Sequence, residues 1–140
     1  MAMTATAHRI DGGLKHLVDV NGRHTIVTDE PNALGGTDEG AAPHELLAAA
    51  VAGCVSTMIA MYAQKRGWDV GQIDVEVSYD TDAVPRRMTV EVHLPAGLSD
   101  EQCRRLERVA ETCPVRRALE AGFVFEEKLL TGGGAERISA

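Results

Sequence analysis

The residues most able to do chemistry in this chain are its three cysteines, Cys54, Cys103 and Cys113. A thiolate is a nucleophile, and two thiols brought together can pass electrons by forming a disulfide. Cys113 stands directly before Pro114, which places it at the N-cap of a helix, where unpaired backbone N–H groups and the helix dipole favour a thiolate. Arg116 and Arg117 follow within the same turn and add full positive charge. The same cysteine also ends an apolar stripe, which fits a packing role equally well. Cys54 sits in an apolar stretch with no charged residue between it and Lys65, the setting of a small buried hydrophobe unless something electropositive reaches it. Cys103 falls mid-helix on a stripe and reads as core.

Other uses of these residue types find less support. The chain has no C-x-x-C, H-x-x-x-H or H-E-x-x-H, so no metal site is expected, and a Cys/His metal protein is only a third reading. Ser56 and Ser99 lack the G-x-S-x-G setting of a hydrolase nucleophile. Gly35-Gly36 and Gly132-Gly133-Gly134 do not open helices in a G-x-G-x-x-G arrangement, which removes a phosphate cradle.

The elements that must position the cysteines can be read from periodicity and punctuation. Residues 4–9, 14–20 and 24–28 read as short strands, the last two joined at Asn21-Gly22, a dipeptide suited to the positive φ angles of a hairpin turn. Residues 29–42 lack periodicity and form a long loop. From Pro43, at the first helical position, a helix runs to Arg66 and stops at Gly67. Its apolar residues lie on all sides, as in a helix surrounded by protein. A 15.0 kDa monomer has little with which to surround it, so a packed or intertwined homodimer is expected.

Residues 73–80 and 88–94 alternate apolar and polar, giving two strands with one wet face. Ser99 and Gln102 have the spacing of a capping box that opens a second helix, and Pro114 starts a short third one to Ala121. Residues 123–130 read as a final strand and 131–140 as a flexible tail beyond a single domain, 1–130. The order β-β-β-α-β-β-α-α-β is that of an α+β domain with mostly antiparallel sheet.

Composition narrows the function classes. The 140 residues carry a net charge of −7 and only 4% aromatics, which leaves neither a basic face for nucleic acid nor stacking platforms for its bases. No apolar run approaches bilayer length without Gly53, Ser56 or Thr57 interrupting it, so no membrane span is expected. The odd cysteine count and an N-terminus, Met1 to Arg9, without a signal-peptide pattern lead to the expectation of a reducing, cytoplasmic setting.

Val27-Thr-Asp-Glu-Pro, Gly35-Gly36-Thr-Asp, and Pro43-His-Glu-Leu-Leu-Ala-Ala-Ala-Val-Ala-Gly-Cys54 follow one another, and Cys113-Pro-Val-Arg-Arg-Ala-Leu119 comes later. Together these resemble the OsmC/Ohr family of osmotically inducible and organic hydroperoxide resistance proteins. The resemblance covers almost the whole chain in the right order. It implies an intertwined homodimer, with antiparallel sheet wrapped around long central helices and a thiol site at the subunit interface. It also implies that an organic hydroperoxide oxidises Cys54 to a sulfenic acid, that Cys113 resolves this as a disulfide, and that a dithiol reductant, lipoyl-type or other, reopens it. No metal or cofactor is implied.

Two positions depart from the family pattern. Where the peroxidase branches carry a carboxylate ten positions before the first cysteine, this chain has His44, with Glu45 next to it. Ten helical residues rise about 15 Å, too far for contact with Cys54 within one straight helix. The family arginine that pairs with the thiolate is also missing, since residues 29–53 contain none. The nearest substitutes are Arg9, Arg23, Arg116 and Arg117. These departures keep an alternative open: a noncatalytic dimer that binds a small apolar ligand or partner at the subunit interface.

Overall fold

Local turn chemistry builds the N-terminal sheet. Asn21 and Gly22 take φ of 54° and 65° and set the register of β2 (His16–Val20) against β3 (His24–Thr28), with Val20 opposite His24. Asn21 also ties in β1 (Ala5–Arg9): its side-chain oxygen accepts from the Thr4 amide at 2.9 Å. The three strands form an antiparallel sheet in the order β1-β2-β3. The computed structural model describes residues 2–132 and 136–138.

The long loop after β3 is closed on itself. Thr28 bridges Ala41, and the buried Asp29 carboxylate gathers the loop by accepting from the Glu30, Thr37 and Glu39 amides at 2.8, 3.3 and 3.2 Å and from the Thr37 hydroxyl at 2.6 Å. Gly36 is required here, because a Cβ would run into the Glu30 carbonyl. The Thr37 hydroxyl, helped by the three amides and opposed by burial, holds the Asp29 carboxyl at about 2, below its ordinary 3.8. This ordered loop delivers the chain to Ala42, the N-cap of the central helix.

Helix α1 (Pro43–Arg66) has Pro43 at its start and ends at Gly67 with φ of 68°, both as the sequence predicts. One of its faces is buried: Val51, Val55, Ile59 and Ala63, spaced by four. That stripe packs on the inner faces of β4 (Asp74–Asp80) and β5 (Arg87–His93), where Val75 pairs with Val92 and Val77 with Val90. Burying each such aliphatic side chain contributes about 1.5–3 kcal/mol. Helix α2 (Asp100–Glu111) closes the core with Leu106 and Ala110, and its capping box forms as expected: the Gln102 amide donates to Ser99 Oγ at 3.1 Å and the Ser99 amide to Gln102 Oε1 at 2.8 Å. Helix α3 (Pro114–Ala121) follows with Cys113 as its N-cap.

The opposite face of α1 is open in the single chain, with Ala49, Ala50, Gly53, Thr57 and Met61 exposed. By length and composition α1 could cross a membrane, with a mean hydropathy of 1.9 over its most apolar window, which corrects the sequence reading that the small residues break the run. Here its buried stripe belongs to the protein core. No residue of β1–β3 joins that core.

The C-terminal region differs from expectation. Only Lys128–Leu130 form a strand, β6, while Phe123 to Glu127 lie exposed outside any ladder, with Phe125 83% exposed. The segment read as a flexible tail contains β7 (Glu136–Ile138), paired antiparallel with β6. Cys103 is also displaced: it is exposed on α2, not core, because it lies at the edge of the stripe centred on Leu106.

Asp29→Asn replaces an acceptor with an amide and is expected to lower the melting temperature at pH 7. Since the folded carboxyl titrates below the unfolded one, its contribution is complete above pH 4 and is lost as pH falls through about 2. The melting difference between parent and variant should therefore shrink between pH 4 and pH 2, as followed by circular dichroism.

Candidate active site

Two helices bring two cysteines together. Cys54 follows Leu47 and Val51 on one stripe of α1, while Pro114 breaks the chain between α2 and α3 and fixes Cys113 at the turn. The Cys113 thiol and the Val115 backbone N–H both lie near enough to Cys54 to act on its ionisation. Cys113 is fully buried and Cys54 half-buried, so Cys54 is the more accessible of the pair. Cys103 is exposed on α2, where it lines a second cleft with Val90, Val92 and Leu106.

The helix terminus serves a different sulfur from the one the sequence indicates. Cys113 makes no side-chain cap hydrogen bond, whereas the second amide of α3, that of Val115, favours the Cys54 thiolate. The signal for this was Pro114, which marks where free amides begin; the sequence does not show which thiol faces them. Burial pushes the Cys54 thiol up from its ordinary 9.0, the neighbouring Cys113 thiol adds to the rise, and the Val115 amide partly offsets it.

The accessory candidates have other occupations within the chain. Glu45 closes the N-terminus of α1, its Oε1 accepting from the Ala42 amide at 2.9 Å. His44 is exposed and stands edge-on to Tyr79, with ring centroids 5.7 Å apart. Arg23 is exposed in the β2–β3 turn, and Arg9 donates to the carbonyls of Gly12 and Gly13. Arg116 pairs with Glu120 at 3.2 Å, and Arg117 is exposed.

Sequence reasoning missed a cleft whose lining includes neither Cys54 nor Cys113. A cleft of about 730 Å³ lies between α1, β4, β5 and α3, with Leu47, Val51, Met88, Val90 and Leu119 among its apolar lining. Arg86, Arg87 and Arg116 reach the same cleft, together with Tyr79. Arg86 comes from the β4–β5 turn and Arg87 opens β5, both in a stretch that the sequence marks only as a turn. Although no metal motif is present, Glu76, Glu91 and His93 place ligand atoms within 4.8 Å of one another on the exposed outer face of β4–β5, a different face from the cleft lining of Met88 and Val90.

Residues 36–128 match the family model described as OsmC-like protein. The chain belongs to the OsmC-like family. Solved structures agree on the OsmC/Ohr fold. A Psychrobacter arcticus protein, provisionally named for an osmotic stress and detoxification response, is 27% identical with a TM-score of 0.70, covering 81% of this chain and 85% of that one. A Legionella pneumophila organic hydroperoxide resistance protein OsmC is 25% identical with a TM-score of 0.61, covering 85% and 89%. An organic hydroperoxide resistance protein from Elizabethkingia anophelis is 26% identical with a TM-score of 0.61, covering 84% and 86%. No curated protein matches the sequence significantly. Within this family fold, α1 is a core helix.

Because the thiolate is the reactive species and Cys54 is pushed up, alkylation of Cys54 by iodoacetamide in a Cys103→Ser background should rise by about tenfold per pH unit from pH 7 to 9. Mass spectrometry of the Cys54 peptide follows the rate; a plateau near neutral pH would show that a cation holds the thiolate.

Proposed function

We propose that the protein is a thiol-dependent peroxidase for organic hydroperoxides, working through Cys54 and Cys113. The observation that carries this reading is the juxtaposition of the two thiols beside the α3 amide. Their unequal exposure supports the division of labour: the accessible Cys54 meets the peroxide, and the buried Cys113 waits behind it.

In the first step the Cys54 thiolate attacks the distal oxygen of ROOH. The O–O bond breaks, the alkoxide takes a proton and leaves as ROH, and Cys54 becomes a sulfenic acid. Cys113 then attacks the Cys54 sulfur, a disulfide forms and water departs. An external dithiol, lipoyl-type or similar, reduces the disulfide through a mixed disulfide and is itself oxidised. The Val115 amide stabilises charge on Cys54 during the first step. The aliphatic lining of the cleft supports an organic substrate over hydrogen peroxide.

The raised Cys54 thiol favours a second reading, a noncatalytic protein that binds an apolar ligand in the same cleft. The two readings separate on variants. With cumene hydroperoxide and a dithiol, Cys54→Ser should abolish turnover, whereas Cys113→Ser should retain a single oxidation that accumulates sulfenic acid, detectable with a dimedone probe. A Cys54→Ser variant as active as the parent would sink the mechanism.

The functional unit we propose is an intertwined homodimer. Three features support it: β1–β3 stand outside the core, one face of α1 is open, and Phe123 and Phe125 are 62% and 83% exposed. A single domain gains little from leaving this much apolar surface in water. Light scattering should give twice 15.0 kDa, and a monomer at micromolar concentration would contradict the proposal.

A further inference from the structure

We propose that Glu76, Glu91 and His93, on the outer face of β4–β5, bind one divalent transition metal ion of the zinc class and that this ion clips the two strands together. The site is separate from the thiol pair and does not depend on its chemistry. Successive residues of a strand point to opposite faces, so these three stand outward while Val75, Val77, Val90 and Val92 pack on the core.

Strand register singles out the three residues. The outer face carries four cross-strand pairs: Asp74 with His93, Glu76 with Glu91, Ser78 with Thr89, and Asp80 with Arg87. Three of them are neutral or can be complementary in charge. Glu76 and Glu91 instead set two carboxylates directly opposite each other, an arrangement that weakens a strand pair. Among the described residues no ion pair joins either carboxylate to a Lys or Arg. A cation held between them would turn the repulsion into a tie.

The spacing of the donor atoms fits a shared metal ion. His93 Nε2 and Glu91 Oε2 stand 3.7 Å apart, too far for a hydrogen bond but close to the roughly 3.3–3.5 Å between two ligands of one tetrahedral zinc. One donor atom from each of the three residues lies within 4.8 Å of the others, and all three side chains are exposed, so small rotations bring them onto one ion with water in the remaining positions. Glu91 and His93 are two residues apart on β5 and Glu76 reaches across from β4, so both strands supply ligands. A ligand set divided between strands has no H-x-x-x-H spacing in the sequence. The imidazole sets the class of metal, since zinc, copper and nickel accept it while magnesium and calcium take oxygen ligands. Asp74, opposite His93, is engaged by the Gln72 side-chain amide at 3.2 Å and is not part of the set.

Zinc titrated calorimetrically into the reduced, metal-stripped protein is expected to bind, and Glu76→Gln and His93→Gln should each weaken it by about tenfold or more, at least the loss that follows removal of a supporting hydrogen bond. Cobalt used in place of zinc separates this site from the cysteines: the parent complex should lack the near-ultraviolet charge-transfer band of thiolate ligation. In EDTA, Glu76→Gln should melt at or above the parent temperature, because it removes a repulsion, while zinc should raise the melting temperature of the parent more than that of either variant. Calcium in excess should leave the zinc in place. No zinc binding by the parent, binding that survives both substitutions, or a thiolate band with cobalt overturns the proposal. Displacement of zinc by calcium overturns it too, since it would reduce the cluster to an acidic patch.

Discussion

The arrangement depends on one contact, that between the N-terminus of α3 and the middle of α1. There the Cys54 sulfur meets the Cys113 thiol and the Val115 amide. It exists because Pro114 ends α2 and restarts the chain as a new helix, turning Cys113 inward until it is fully buried. The core holds the contact in place: Val51, Val55 and Ile59 press α1 onto β4–β5, and Leu106 and Ala110 bring α2 and the following turn against it.

Two opposing effects meet at Cys54. Burial and a neighbouring thiol favour the protonated form, while a helix amide favours the thiolate. Within one chain the first pair wins. A buried thiol is protected from adventitious oxidation, but a peroxidase needs a thiolate, so the electrostatic balance at this sulfur decides between the catalytic and the binding reading. The cations nearest the cleft come from the β4–β5 turn, the start of β5 and α3.

Much of the fold was legible because its signals are local. Asn21-Gly22, Pro43, Gly67, the Ser99 and Gln102 box and Pro114 each act within a few residues of themselves, and each works where the sequence places it. The alternation in β4 and β5 likewise appears as one wet and one inner face. What failed needed tertiary information. Cys103 sits at the edge of a helical stripe, where periodicity cannot separate core from surface. Phe123 to Glu127 have strand-like composition but no ladder partner in the chain. Of the site, the cysteines could be found from motif and position. The Asp29 hub, the Val115 amide and the cleft arginines Arg86 and Arg87 could not, because each depends on which distant groups the fold brings opposite it.

The central claim is that Cys54 and Cys113 are chemical partners. Peptide mapping by mass spectrometry, after one equivalent of cumene hydroperoxide and rapid alkylation, tests this directly. The account predicts a peptide pair linked through Cys54 and Cys113, two hydrogens lighter than the reduced forms, with Cys103 alkylated. Recovery of all three cysteines alkylated, or of Cys54 linked to Cys103, would contradict it.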